Sequence, residues 1–292
     1  MKESRRLVIY VIALYAASFA VQGYIWLAGG LESSAFQILA PIVMFFPGIA
    51  ALVYLKISGE GWHFINWRIG KPQYLLYGLL IPAVTALICV VILTTLDIGE
   101  SPHLQSSAGR VNVYRGLFVL GQGEQSLLFF ALNFFVTTVT LGFVNGLVTV
   151  GEEIGWRGFM QQKLISRNGL MFGIGLLGLI WAYWHTPIIL LGYNYPETPI
   201  LGALLLWPAT CILLSFVFAW LTIKGKSVWP AVLAHGSYNA FHGGLVDGMN
   251  FPGGRLIPDL VVLAVWLMIA TLAIILTRRH VEEKVVFKNL VQ

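Results

Sequence analysis

The sequence predicts an all-α, polytopic integral membrane protein of about eight transmembrane helices, and three observations predict it. Of 292 residues, 58% are apolar and only 11% charged, whereas about a quarter are charged in ordinary soluble domains. Uncharged runs near 20 residues long, enough to cross a hydrocarbon core of about 30 Å as a helix, recur along the chain. Those runs, such as LYGLLIPAVTALICVVIL, are apolar on every face. A closed β-barrel would instead need segments of roughly ten residues with alternating polarity.

Taken in order, the spans lie near 7–29, 36–57, 74–96, 126–150 with a helical continuation, 170–191, 200–223, 228–246 and 259–277. The first apolar run exceeds the roughly 7 to 15 residues of a cleaved secretory signal and reads as a retained anchor. GEGWHFINWRIGKPQ, after the second span, suits the headgroup region through Trp62, Trp67 and Arg68. The link over 97–125 reads as a mobile or re-entrant loop. With no internal repeat or linker composition, residues 1–292 read as one integral domain.

Charge in the links sets orientation, because Lys and Arg collect on the cytoplasmic side. Lys2, Arg5 and Arg6 precede the first span, and Lys56, Arg68 and Lys71 follow the second. Arg157, Lys163 and Arg167 follow the fourth, Lys224 and Lys226 the sixth, and Arg278, Arg279, Lys284 and Lys288 the last. The alternate links, GGLESSA, NYPETP and 247–259, are acidic or nearly neutral. Both termini are therefore expected in the cytoplasm. The net charge of +5 reads as topology and contact with anionic lipid; no basic tract interleaved with aromatics suggests nucleic acid. Cys89 and Cys211 both fall inside apolar runs, so neither a disulfide framework nor a CxxC metal site is implied.

The informative residues are ionisable groups at membrane depth, each costing at least roughly 2.5 to 3.5 kcal/mol on insertion scales. Glu152 and Glu153 stand about 14 or 15 residues before the turn at Arg167–Gly169, and His185 about 17 after it. At about 1.5 Å per residue, the three lie roughly 20 to 25 Å from that turn. His235 and Asn239, counted from Lys226, lie about 13 and 20 Å in. Three helices thus aim polar groups at one layer. Glu153 and Arg157 are i and i+4, as are His235 and Asn239, so each pair shares a helical face. Adjacent carboxylates are about 100° apart, so Glu152 and Glu153 have different jobs. Glu153 is expected to pair with Arg157. Glu152 is left to face a cavity with His185, where a carboxylate without a cation suits general-base work. His242 reads as a packed, hydrogen-bonded residue, and Trp181 and Trp184 also fit an interfacial aromatic belt.

These residues carry a resemblance. GEEIGWR fits EExxxR through Glu152, Glu153 and Arg157; WAYWH fits aromatic-xxxH through Trp181 and His185; HGSYN fits HxxxN through His235 and Asn239. In that order the triple resembles the CAAX protease and bacteriocin-processing (CPBP, or Abi) family of intramembrane endopeptidases, with a core about 120–245. Trp181 departs from the Phe frequent in that family. The resemblance implies a membrane hydrolase with a conical cavity opening to the cytoplasm, cutting a peptide bond near that face. Carried over by position, Glu152 with His185 would activate water, His235 with Asn239 would form an oxyanion hole, and Glu153 with Arg157 would support them.

No cofactor is favoured by that mechanism. The alternative is zinc, which takes three protein ligands in catalytic sites; Glu152, His185 and His235 would supply them, although HExxH is absent. Expected partners are membrane lipid and a peptide or membrane-protein substrate, and the expected location is a bacterial plasma membrane. Two competing functions use the same residues differently: a non-catalytic immunity or regulatory protein on this scaffold, and an ion-coupled transporter.

Overall fold

A computed structural model describes residues 2–107, 109–114 and 116–290. The side chains of Lys2, Arg279, Lys284 and Lys288, read above as terminal topology signals, lie outside the described residues. The structure is 76% helical. Its elements are α1 (Lys2–Leu27), α2 (Ser34–Val43), α3 (Phe46–Ser58) and α4 (Pro72–Thr95), then strands β1 (Leu104–Ser107), β2 (Arg110–Val113) and β3 (Gly123–Ser126). There follow α5 (Leu127–Glu153), a π-helical turn Ile154–Met160, α6 (Gln161–Asn168), α7 (Leu170–Trp184) and α8 (Thr186–Leu190). A single turn α9 (Pro199–Leu201) runs through a second π-turn, Gly202–Leu206, into α10 (Trp207–Gly225). Then come α11 (Trp229–Phe241), a third π-turn His242–Val246, and α12 (Leu256–Leu290).

Among the described residues, six helical stretches are long and apolar enough to cross a membrane: Ser4–Leu27, Ser34–Ser58, Pro72–Thr95, Leu127–Asn168, Pro199–Gly225 and Leu256–Arg278. The count of eight is therefore not reproduced. The helix expected over 170–191 breaks at His185, after 15 residues of α7, and the one expected over 228–246 has 13 regular residues before its π-turn. Both interruptions fall at a histidine carried by the wall of the central cavity. The continuation predicted past Val150 is present, because α5, the π-turn and α6 form one stretch of 42 residues. At about 1.5 Å per residue that stretch is near 63 Å long, twice a hydrocarbon core.

The link over 97–125 carries regular structure of its own. Its centre is an antiparallel sheet of order β1-β2-β3, with Leu104 paired to Val113 and Arg110 to Ser126. Asn133 and Thr137 of α5 accept from the backbone N–H groups of Leu120 and Val119, tying the sheet to the start of that helix. Ser126 caps α5 by accepting from Phe129 N–H.

Two ends of the bundle are defined by the contacts between links. At one end, Arg167 donates to Ser4, Lys163 pairs with Glu60 at 2.6 Å, and Lys71 N–H donates to the Gly225 carbonyl. This is the end that gathers the basic links. At the other, Phe36 meets Tyr193 with ring centroids 5.8 Å apart, Arg255 N–H donates to Glu197, and Glu100 bridges to Asn250. Near the basic end, Trp229 Nε1 donates to the Trp67 carbonyl and Trp67 Nε1 to that of Trp62.

Small residues set how closely the helices approach. A Cβ at Gly236 would lie 2.4 Å from the Gly142 carbonyl oxygen, and one at Gly155 would lie 2.4 Å from the Pro47 carbonyl carbon. Glycine at these two positions lets α11 press on α5, and the π-turn press on α3, at backbone distance. The first contact brings His235 within reach of Glu153.

Candidate active site

Glu152 and Glu153 are the last two residues of α5, and both are buried. Their surroundings differ. Glu153 Oε1 accepts from Arg157 Nη1 at 2.9 Å and from His235 Nδ1 at 2.8 Å. The Arg157 guanidinium also donates to Ser215, and it lies between the rings of Trp181 and Phe218, 4.2 and 4.8 Å from their centroids. Glu153 thus carries a full cationic partner and fixes the His235 ring.

Among the described residues Glu152 forms no ion pair. Its Oε2 accepts two indole N–H bonds, from Trp181 at 2.7 Å and from Trp156 at 3.1 Å, while among the described residues its Oε1 accepts none. Neutral donors hold the carboxylate in place without cancelling its charge, as Arg157 does next door. Trp156 is i+4 from Glu152, so both glutamates are tied one turn ahead, one to an indole and one to a guanidinium.

Trp181 links the cluster together. Its indole N–H binds Glu152, its ring face receives Arg157, its centroid is 5.3 Å from that of His235, and its carbonyl accepts from His185 Nδ1 at 2.9 Å. A carbonyl only accepts, so the His185 proton sits on Nδ1, and Nε2 of the neutral ring is an acceptor. By the same logic, His235 directs an Nδ1 proton at Glu153, and its Nε2 donates only when the ring carries both protons.

Glu152, His185, His235 and Asn239 all line one cavity of about 310 Å³. Glu153 and Arg157 do not reach it. Arg157 instead borders a second cavity of about 310 Å³, lined by Gln161, Gln162, Lys226 and Ser227. The structure therefore divides the seven residues read from the motifs into five on the cavity wall, Trp181 among them, and two behind it. Among the described residues no group of three or more His, Cys, Asp or Glu is placed to hold a metal ion. Nδ1 of each of the two histidines, and Oε2 of Glu152, already have protein partners.

Several cavity residues were not singled out by sequence. Gln22 and Asn145 are polar residues in apolar runs, a signal read above for charged groups, histidine and Asn239 but not for these two; Gln22 donates to the Trp184 carbonyl. Trp181 and Trp184, which also fitted an interfacial belt, are both buried on the cavity wall; Trp156 was not singled out at all. His242 is hydrogen-bonded as expected, through Nδ1 to Asp247 at 3.2 Å, and is stacked on Tyr238. It also lines the cavity. Asp247 accepts from Arg255 at 2.5 Å; burial pushes its carboxyl up, but His242 and Arg255 together hold it below the ordinary carboxylate value.

From the Glu152 layer the cavity walls run through Gln22, Phe36, Tyr193 and Asp247, away from the end that gathers the basic links.

Fold and site together define an all-α polytopic membrane protein with a carboxylate and imidazole cluster at mid-span. Residues 126–241 match the model of the family described as Type II CAAX prenyl endopeptidase Rce1-like. Over 109 residues, 35% of this chain, the sequence is 28% identical to CAAX prenyl protease 2 of Methanococcus maripaludis, and it covers 40% of the length of that protein. The segment 126–241 contains all three motifs and all seven residues read from them.

Proposed function

We propose that the protein is an intramembrane endopeptidase in which Glu152 and His185 activate a water molecule, and His235 and Asn239 stabilise the oxyanion. One observation carries this reading: a buried carboxylate, with one oxygen held by neutral donors and the other free, shares a cavity with two oriented imidazoles and an amide. The family match over 126–241 and the protease name of the archaeal relative support it.

In the proposed reaction Glu152 Oε1 takes a proton from water while His185 Nε2 orients it. The hydroxide attacks the carbonyl carbon of the scissile peptide, and the carbonyl electron pair moves onto its oxygen. The Asn239 amide and doubly protonated His235 donate to that oxygen. Collapse of the intermediate breaks the C–N bond, and the proton held by Glu152 passes to the departing amine. No serine, cysteine or metal takes part. Peptides or membrane-protein segments are the substrates, and the chain acts as one integral domain.

The test compares the membrane proteomes of cells carrying the wild-type protein and Glu152→Gln. A precursor that accumulates only with the variant, and is cut when purified wild-type protein is added back, is the expected result. Identical proteomes, and equal cleavage by both proteins, would reject the reading. Full activity after exhaustive dialysis against a chelator is expected; loss restored by zinc would replace the water-only mechanism.

A further inference from the structure

We infer that the substrate reaches Glu152 from the membrane face opposite the basic links, which makes its class a peptide segment exposed on, or entering from, the non-cytoplasmic side. As to substrate the inference rests on the peptidase reading; as to access it stands on geometry alone.

Three observations carry it. First, the cavity wall runs from the Glu152 layer toward the far end. Tyr193, in the link that packs on Phe36, is 38% exposed and forms the rim, while His185 is 8% and Glu152 1% exposed at the floor. Asn239 and Gly243, on the side of α11 and the third π-turn, are exposed as well. Second, the other direction is sealed: beneath Glu152 lie Trp156, Phe159, Trp181 and Phe218, each no more than 1% exposed, with Arg157 packed between two of those rings. The polar cavity bordered by Lys226 lies on the far side of that layer and has no wall residue in common with the first. Third, charge orients the molecule. The described cations of the links at the sealed end include Arg5, Arg6, Lys56, Arg68, Lys71, Arg167, Lys224 and Lys226. At the open end the described cations are Arg110, paired with Glu124, and Arg255, paired with Asp247. Lys and Arg in short links stay in the cytoplasm, so the sealed end is cytoplasmic and the open end is not.

The sheet over 104–126 stands at the open end but supplies no residue to the cavity wall. One route to Glu152 passes between α2 and the link carrying Tyr193 and Asn194. Phe36, Ala40 and Val43 make that wall apolar, which suits an extended peptide leaving an apolar segment.

The test is thiol accessibility in the full chain, expressed in a bacterial membrane. The native Cys89 and Cys211 are buried and free, so unmodified protein serves as the blank. Ile188→Cys, on the cavity wall, and Asn194→Cys, nearer the rim, are exposed to a small membrane-impermeant cationic methanethiosulfonate, in spheroplasts and in inverted vesicles. Lys226→Cys reports the basic end. Ile188→Cys and Asn194→Cys are expected to react at least tenfold faster in spheroplasts, and Lys226→Cys at least tenfold faster in inverted vesicles. Faster reaction of Ile188→Cys in inverted vesicles would overturn the inference, and so would its failure to react from either face while Asn194→Cys does. Each reading uses labelling rates, which stand whether or not Glu152→Gln changes any proteome, so failure of this inference and failure of the peptidase reading are told apart.

Discussion

Glu152 and Glu153 are neighbours in sequence, equal in burial and equal in depth, yet they meet opposite chemistry. Glu153 is bound by a guanidinium and an imidazole; Glu152 is bound by two indoles. The difference teaches what decides the role of a carboxylate inside a membrane. Burial is common to both, so it assigns nothing. The charge of the donors does: a cation uses up the negative charge in holding the fold, whereas neutral donors keep it available to a proton.

The largest effect expected from this contrast is on Glu152. Glu152→Gln keeps shape and both indole bonds but cannot take a proton, and should lower kcat by about 10²- to 10⁴-fold with a thermal midpoint near that of wild type. Glu153→Gln should do the reverse. Leaving Arg157 buried without its counter-charge costs about 3 to 5 kcal/mol, read as a large fall in midpoint. Combining it with Arg157→Met should recover much of that loss, because the orphaned charge is gone. If the two glutamine variants behave alike in both assays, the division of labour fails.

Trp181→Phe sharpens the comparison at smaller scale. It removes the shorter indole bond, where a hydrogen bond to a charged group contributes about 1.5 to 3 kcal/mol. About tenfold or more should be lost from kcat with KM little changed, and Trp156→Phe, with its longer bond, should lose less. A rise in KM at constant kcat would mean that Trp181 only shapes the cavity wall.

The smallest effect concerns Asp247, a carboxylate held by Arg255 and His242 in the link between the third π-turn and α12. Its carboxyl titrates lower when folded than when unfolded, so the folded state binds its proton less readily. The resulting stability is present above the unfolded value of about 3.9 and disappears as pH falls through the lower folded one. The midpoint of wild type should therefore drop toward that of Asp247→Asn as pH falls below about 4, with the gap between them widest near neutrality.

Much of this site was legible because charge is expensive in a bilayer. Glu152, Glu153, Arg157, His185, His235 and Asn239 stood out against apolar runs, and the i,i+4 spacing already paired Glu153 with Arg157. What stayed hidden follows from the same logic. Trp156 and Trp181 cost nothing to bury, so their donor role left no mark. The break at His185 and the three π-turns are set by packing between helices, and neither changes apolar content. Depth counted from the basic turn gave the height of each group but carried no information on which end of the cavity is closed. The sheet over 104–126 was obscured by short polar strands of four residues each, too brief for an alternating pattern.

The π-helical turn Ile154–Met160 has a consequence at the level of the gene. Such a turn accommodates one more residue than regular helix does, so the loss of a single codon within it, other than that of Arg157, is absorbed by closing the turn to regular helix. Gln161 would stay on Thr222, which it meets at 3.0 Å, and Lys163 on Glu60. The same deletion in the regular part of α5 would instead turn every later side chain by about 100°.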